Sequence, residues 1–172
     1  MPESNISHLL RKPVSLAALT LLTALVCCSP SDERPGLWLT GDPVAVPVDD
    51  WSFVAETEEI FIETRPWYGL PHSTTIWAVA WDGGLYVGSY GDQKKAWEEA
   101  LANDPQARLL IDGRLYGANV VPVTDPAVSR ALDARYREKY DMEEVFGEDV
   151  PDWWYYRVEQ IPSSATTPTP AP

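Results

Sequence analysis

The segment "STTIWAVAWDGGLYVGSYGDQKKAWEEALANDPQARLLIDGRLYGANVVPVTDP", Ser73 to Pro126, decides how this chain folds. Ser73 to Trp81 is rich in Thr, Ile and Val, meets Asp82-Gly83-Gly84 and returns as Leu85 to Tyr90, which predicts an antiparallel hairpin on a glycine turn. Ala107 to Ile111 meets Asp112-Gly113 and returns as Arg114 to Val123, a second hairpin. Between the two, Gln93 to Asn103 places Trp97, Ala100 and Leu101 on one helical face. Thr124-Asp125-Pro126 reads as a cap followed by proline at the first helical position, and Val128, Ala131, Leu132 and Tyr136 form the stripe of a second helix.

Outwards from this core, Glu58 to Arg65 alternates as a strand, and Trp153 to Glu159 reads as a final one. Six antiparallel strands and two helices with no repeating βαβ unit predict a mainly β fold, a closed or half-closed barrel rather than a parallel sheet. The 172 residues, 45% hydrophobic with 8 Trp, suffice for one sizeable core. A formal charge of −13 argues against nucleic acid, whose phosphates need an electropositive footprint. No Ser-His-Asp set, HExxH, CxxC or phosphate-cradling glycine loop is present, so hydrolase and metalloenzyme chemistry has no residues to run on and no metal is expected.

The flanks differ in character. Arg11 and Lys12 precede Val14 to Val26, an apolar run of signal-peptide length that is too short to span a bilayer. "LVCC", Leu25 to Cys28, resembles a bacterial lipobox with Cys28 as the lipidated residue, although Cys27 stands where a small residue is usual. The expected organisation is a signal peptide over 1–27, a lipidated Cys28 and proline-rich tether over 28–50, a folded domain over 51–160 and a disordered Pro/Thr-rich tail over 161–172. The tether is expected to lie against the domain through Leu37 and Trp38. Such a chain would sit in the cell envelope, lipid-anchored and facing the periplasm or exterior.

Lys94 and Lys95 pose a local question. As part of a helix beginning at Gln93 they face the positive end of the macrodipole, and they precede Glu98 and Glu99 in the less favourable order. A bound anion would resolve the conflict. The plain alternative is that Asp92 caps the helix and the lysines are solvated charges.

The Ser73–Pro126 pattern, a strand, an Asp-Gly hairpin, "LYV", a hydroxyl residue, a basic loop, Trp, a strand, a glycine hairpin and "PVTDP", resembles the split β-barrel flavin-binding superfamily. Within it, the pyridoxamine-phosphate-oxidase-like proteins and the deazaflavin-dependent nitroreductase and DUF2255-type branches are the most similar. The resemblance implies a six-stranded antiparallel split barrel with two helices, commonly a homodimer, binding FMN or the deazaflavin F420 at its mouth. It assigns the cofactor phosphate to a hydroxyl and basic residues, here Ser89, Lys94 and Lys95, with Trp97 on the helix, Thr74 and Thr75 on the neighbouring strand, and Arg65 before it. "TRPWYGLPHS", Thr64 to Ser73, stands where the deazaflavin branch carries a Gly-Arg-Lys-Ser-Gly-like segment, and Ala100 stands where Asn is usual, so FMN is expected rather than F420. The implied activity is oxidoreduction of a small molecule, with the catalytic residues unassigned. The alternative is a non-catalytic binding or envelope-associated lipoprotein that keeps the barrel without a cofactor.

Overall fold

The computed structural model describes residues 36–161. Cys28, the expected signal peptide and all but the first residue of the expected 161–172 tail lie outside them. The elements are β1 (Asp42–Pro43), a short 3-10 helix (Ser52–Glu56), β2 (Ile60–Thr64), β3 (His72–Ile76), β4 (Ala78–Trp81), β5 (Gly84–Tyr90), α1 (Ala96–Asn103), β6 (Gln106–Ile111), β7 (Arg114–Pro122), α2 (Pro126–Lys139), α3 (Met142–Phe146) and β8 (Trp153–Gln160).

The sheet runs in the order β3-β2-β6-β7-β8-β5-β4, and every neighbouring pair is antiparallel. Its two end strands, β3 and β4, are halves of one segment broken only at Trp77. That segment pairs with β2 through its first half and with β5 through its second, so the sheet curls round and closes through it. The expected mainly β barrel with six principal strands is therefore present. The count rises to eight because the strand expected over 73–81 is cut at Trp77, and because β1 adds two residues in parallel to β7.

Both hairpins turn on Asp-Gly. Asp82 and Gly83 have φ of 49° and 71°, and Asp112 and Gly113 have 48° and 76°. Positive φ at both central residues is the twist-matched two-residue turn that Asp-Gly favours.

Strand alternation sends residues to two cores. Inside the barrel lie Ile60, Ile62, Ile76, Leu85, Val87, Leu109, Val120, Tyr156 and Val158, with Trp97 and Leu101 of α1 packed among them. Outside, Val79, Tyr86 and Tyr155 meet Leu132, Tyr136 and Met142 of α2 and α3. The helix α3 is additional to the two expected. Asp125 caps α2 as expected, its carboxylate accepting from the Ala127 amide at 2.8 Å with Pro126 behind it.

Two expectations are corrected here. The described part of the tether, 36–50, lies against the domain, but through a different residue from those expected: Leu39 is 3% exposed, its amide donates to Glu63 Oε2 at 2.6 Å, and Arg108 Nη2 donates to its carbonyl at 3.0 Å. It is Leu39 that docks, whereas Leu37 and Trp38 point outwards at 47% and 58% exposure. The reason is the Glu63–Arg108 pair on β2 and β6, joined at 3.0 Å, which offers hydrogen bonds to one strap peptide and so sets its register. Helix α1 begins at Ala96 rather than Gln93, because Lys95 is its extended N-cap with φ −83° and ψ 161°.

Candidate functional site

At one end of the barrel, β5, β8 and the start of α1 converge on a single buried carboxylate. Glu98 is the third residue of α1, and its Oε2 accepts from the Lys95 amide at 2.9 Å, which is the reach-back contact of a capping glutamate. The same oxygen accepts from Ser89 Oγ at 2.7 Å. Oε1 accepts from Tyr156 OH at 2.7 Å, from Lys94 Nζ at 3.3 Å and from Trp154 Nε1. Lys94 Nζ also donates to Tyr156 OH at 3.0 Å.

Burial works to raise the Glu98 pKa, but the bonds from the Lys95 amide, Trp154, Tyr156 and Ser89 outweigh it and hold the carboxyl below its ordinary value. Burial and then the Glu98 bond and charge push the Tyr156 phenol up, so it stays protonated as a donor. Burial lowers the Lys95 ammonium, partly offset by the Glu98 charge.

The alternation of β5 and β8 builds this cluster. Ser89 pairs with Trp154, and Val87 with Tyr156, so these four share the barrel's inner face while Trp153 and Tyr155 point outwards. The aromatic run at 153–156 thus serves two cores. Sequence reasoning missed Glu98, Trp154 and Tyr156 as site residues. The spacing of Lys95 and Glu98, N-cap and third helical position, was the one signal available for Glu98.

The lysines have left the helix. Lys94 is not unopposed: it bonds the buried Glu98, and its Nζ stands 4.2 Å from the Trp154 ring centroid. The Nζ of Lys95 stands 3.8 Å from the Tyr90 ring centroid, and it makes no ion pair with another described residue. Asp92 does not cap the helix. Trp97 is buried with its ring edge against Tyr156 at 5.2 Å.

The remaining expected positions are less gathered. Thr74 pairs with Ile62 and so shares the inner face, whereas Thr75 pairs with Phe61 and lies on the outer one. Arg65 is exposed beyond the end of β2 and forms no ion pair with another described residue. The structure therefore brings Ser89, Lys94, Lys95 and Trp97 together around Glu98, and leaves Thr75 and Arg65 outside that cluster.

A second, open groove lies on the outer side, lined by Glu56, Glu58, Glu59, Trp77, Lys139 and Tyr140 among others. Tyr140 stacks on Trp77 at 4.3 Å and 5°, and burial pushes its phenol up to about 12. Lys139 Nζ donates to the carbonyls of Val54 at 2.9 Å and Ala78 at 2.7 Å, and burial lowers its pKa to about 8. This lysine fastens the end of α2 to the 3-10 helix and β4. Among the described residues, no three His, Cys, Asp or Glu side chains are placed to hold a metal ion, and no helix is long and apolar enough to cross a membrane.

No curated protein matches the chain. Among solved structures, an Agrobacterium tumefaciens protein of unknown function shares 16% identity and a TM-score of 0.47, over 60% of this chain and 48% of its own. A FAD-binding protein from Mesorhizobium loti shares 12% and 0.45, over 62% and 82%. A haem storage protein from Vibrio cholerae shares 15% and 0.45, over 63% and 85%. The chain thus spans about half the length of the Agrobacterium protein. A family model matches residues 51–150, well over half of the 172, and the chain belongs to that family, described as an uncharacterized protein conserved in bacteria (DUF2255).

Proposed function

We propose that this chain binds a flavin-type cofactor, FMN rather than F420, beside Tyr90 and Lys95 at the start of α1. In this reading it is an exported protein, lipid-anchored through Cys28, that oxidises or reduces a small molecule in the cell envelope. The observation that supports the reading is Lys95: an ammonium with no carboxylate partner among the described residues, resting on the Tyr90 ring just before the first turn of α1. Cation, aromatic surface and helix N-terminus together suit a ligand that is both planar and anionic. Of the residues that the resemblance assigns to the phosphate, Lys95 fits that group. Ser89 does not, since its hydroxyl is wholly buried and donates to Glu98. Bound flavin would supply the electron transfer, and the protein's part would be to hold its phosphate and cover its ring.

A second reading has its own observation. Glu98 takes up the Ser89 hydroxyl and the Lys94 ammonium, so a carboxylate of the chain itself neutralises most of what would hold a phosphate. That favours a binding protein which keeps the barrel without a cofactor. The visible spectrum of the purified chain, followed by thermal unfolding with FMN, F420 or haem added, separates the two. The first reading expects FMN to raise the midpoint, the rise to shrink with salt, and Lys95→Gln to remove most of it. No chromophore and no shift with any of the three would leave the cofactor-free reading standing.

A further inference from the structure

The loop between β2 and β3, "RPWYGLP" from Arg65 to Pro71, presents its largest apolar side chains to solvent. Trp67 is 93% exposed, Tyr68 and Leu70 about half. The loop is braced rather than loose: Pro66 and Pro71 are buried, the Gly69 amide donates to the Pro66 carbonyl at 2.8 Å, and the Trp67 and Tyr68 rings meet edge to face at 5.7 Å. A rigid turn that holds a tryptophan out in water gains nothing from it within the fold.

The strap adds to this surface. The Ser73 amide donates to the Gly36 carbonyl at 3.1 Å, and the Leu39 amide to Glu63. Glu63 and Ser73 are paired residues at the base of that same hairpin. The strap therefore crosses the hairpin base with Leu37 and Trp38 exposed. Charge sets the region apart as well. The chain carries −13 overall, yet no carboxylate occurs between Glu63 and Asp82, nor from Gly36 to Gly41, and Arg65 sits at the start of the loop.

We infer that Trp38, Trp67, Tyr68 and Leu70 form a membrane-contacting surface that enters the headgroup region of a phospholipid bilayer. The inference rests on the lipid anchor proposed at Cys28. Gly36 stands eight residues after Cys28, a reach of at most about 29 Å when fully extended. An acylated Cys28 would thus hold the strap, and the loop beside it, within easy reach of the bilayer. Tryptophan and tyrosine, apolar in body and polar at one edge, favour that depth, and two segments that carry no carboxylate of their own add no repulsion from anionic lipid. A second copy of the chain is the rival occupant, and the test below reads it separately.

The test uses the full chain, isolated from bacterial membranes and reconstituted in vesicles of brominated phosphatidylcholine and phosphatidylglycerol in equal parts. Bromine quenches tryptophan on contact. Trp38 and Trp67 are two of the eight tryptophans, so bromolipid should remove roughly a quarter of the emission relative to unbrominated vesicles. In the double variant W38F/W67F, whose altered side chains are exposed and leave the core intact, that quenching should vanish with far-UV circular dichroism unchanged. Equal quenching in both proteins, or none in either, overturns the surface. So does a dimer in detergent that Trp67→Ser with Leu70→Ser converts to monomer, with no quenching in vesicles, since the face would then pair two copies. Intact mass reports the anchor independently. A chain without acyl groups that is still quenched through Trp38 and Trp67 when added to the vesicles refutes the anchor and keeps the surface.

Discussion

Replacing Glu98 tests the centre of the buried hydrogen-bond cluster most directly. Glu98→Ala removes the common acceptor of five donors. Lys94, whose side chain is 52% exposed, can turn to water, and the half-buried Trp154 can in part. The Ser89 hydroxyl and the Tyr156 phenol are buried and cannot. A buried donor left unpaired costs about 1–3 kcal/mol, so these two alone put the loss at about 2–6 kcal/mol. Against a typical domain stability of about 5–15 kcal/mol, that is a large share. Glu98→Gln keeps the shape but turns an amide NH₂ towards groups that are themselves donors, and should lose about 1–3 kcal/mol.

The assay is urea unfolding of both variants, repeated from pH 7 downwards. The folded carboxyl lies below its ordinary value of 4.5, so its contribution is complete above that pH and is lost as pH falls through the lower, folded value. The gap between the unmodified protein and Glu98→Gln should therefore be widest near neutrality and narrow below 4.5. An unchanged urea midpoint for Glu98→Ala, or a gap that persists undiminished in acid, would refute Glu98 as a charged hub.

Two further outcomes follow from the outer core. At Gly88 an added Cβ would lie 2.9 Å from the Tyr136 ring and hydroxyl and 3.0 Å from Trp153, so Gly88→Ala should cost about 1–3 kcal/mol and lower the thermal midpoint; an unshifted midpoint would mean this packing yields freely. The Lys139 amine is lowered from 10.5 to about 8 on folding, a penalty complete below pH 8 and relieved as pH rises to 10.5. Unfolding free energies across that range should thus rise for the unmodified protein relative to Lys139→Met, and parallel curves would contradict the burial of this ammonium.

How much of this was legible in the chain can be traced residue by residue. Asp82-Gly83 and Asp112-Gly113 are local signals, because a turn with two positive φ values is chosen by the residues that tolerate it. From those turns both hairpins and their registers follow, and the DUF2255 branch to which the Ser73–Pro126 pattern pointed is the family shown. The Asp125-Pro126 start of α2 was equally local. Other features depend on partners distant in sequence. That Leu39 rather than Leu37 or Trp38 docks depends on Glu63 and Arg108, 24 and 69 residues away.

By itself, then, the sequence determined turns, strand alternation, helix stripes and the mainly β class, since each is an energy of neighbouring residues. Tertiary structure alone decided that the segment over 73–81 serves both ends of the sheet, and that helix α1 starts after its lysines rather than before them. It also decided the fate of Glu98. Local rules make a helical glutamate a surface residue, and it is buried here because Ser89, Trp154 and Tyr156, from strands 9 to 58 residues away, supply the hydrogen bonds that replace water. No window of sequence contains that compensation, because it exists only once the barrel has closed.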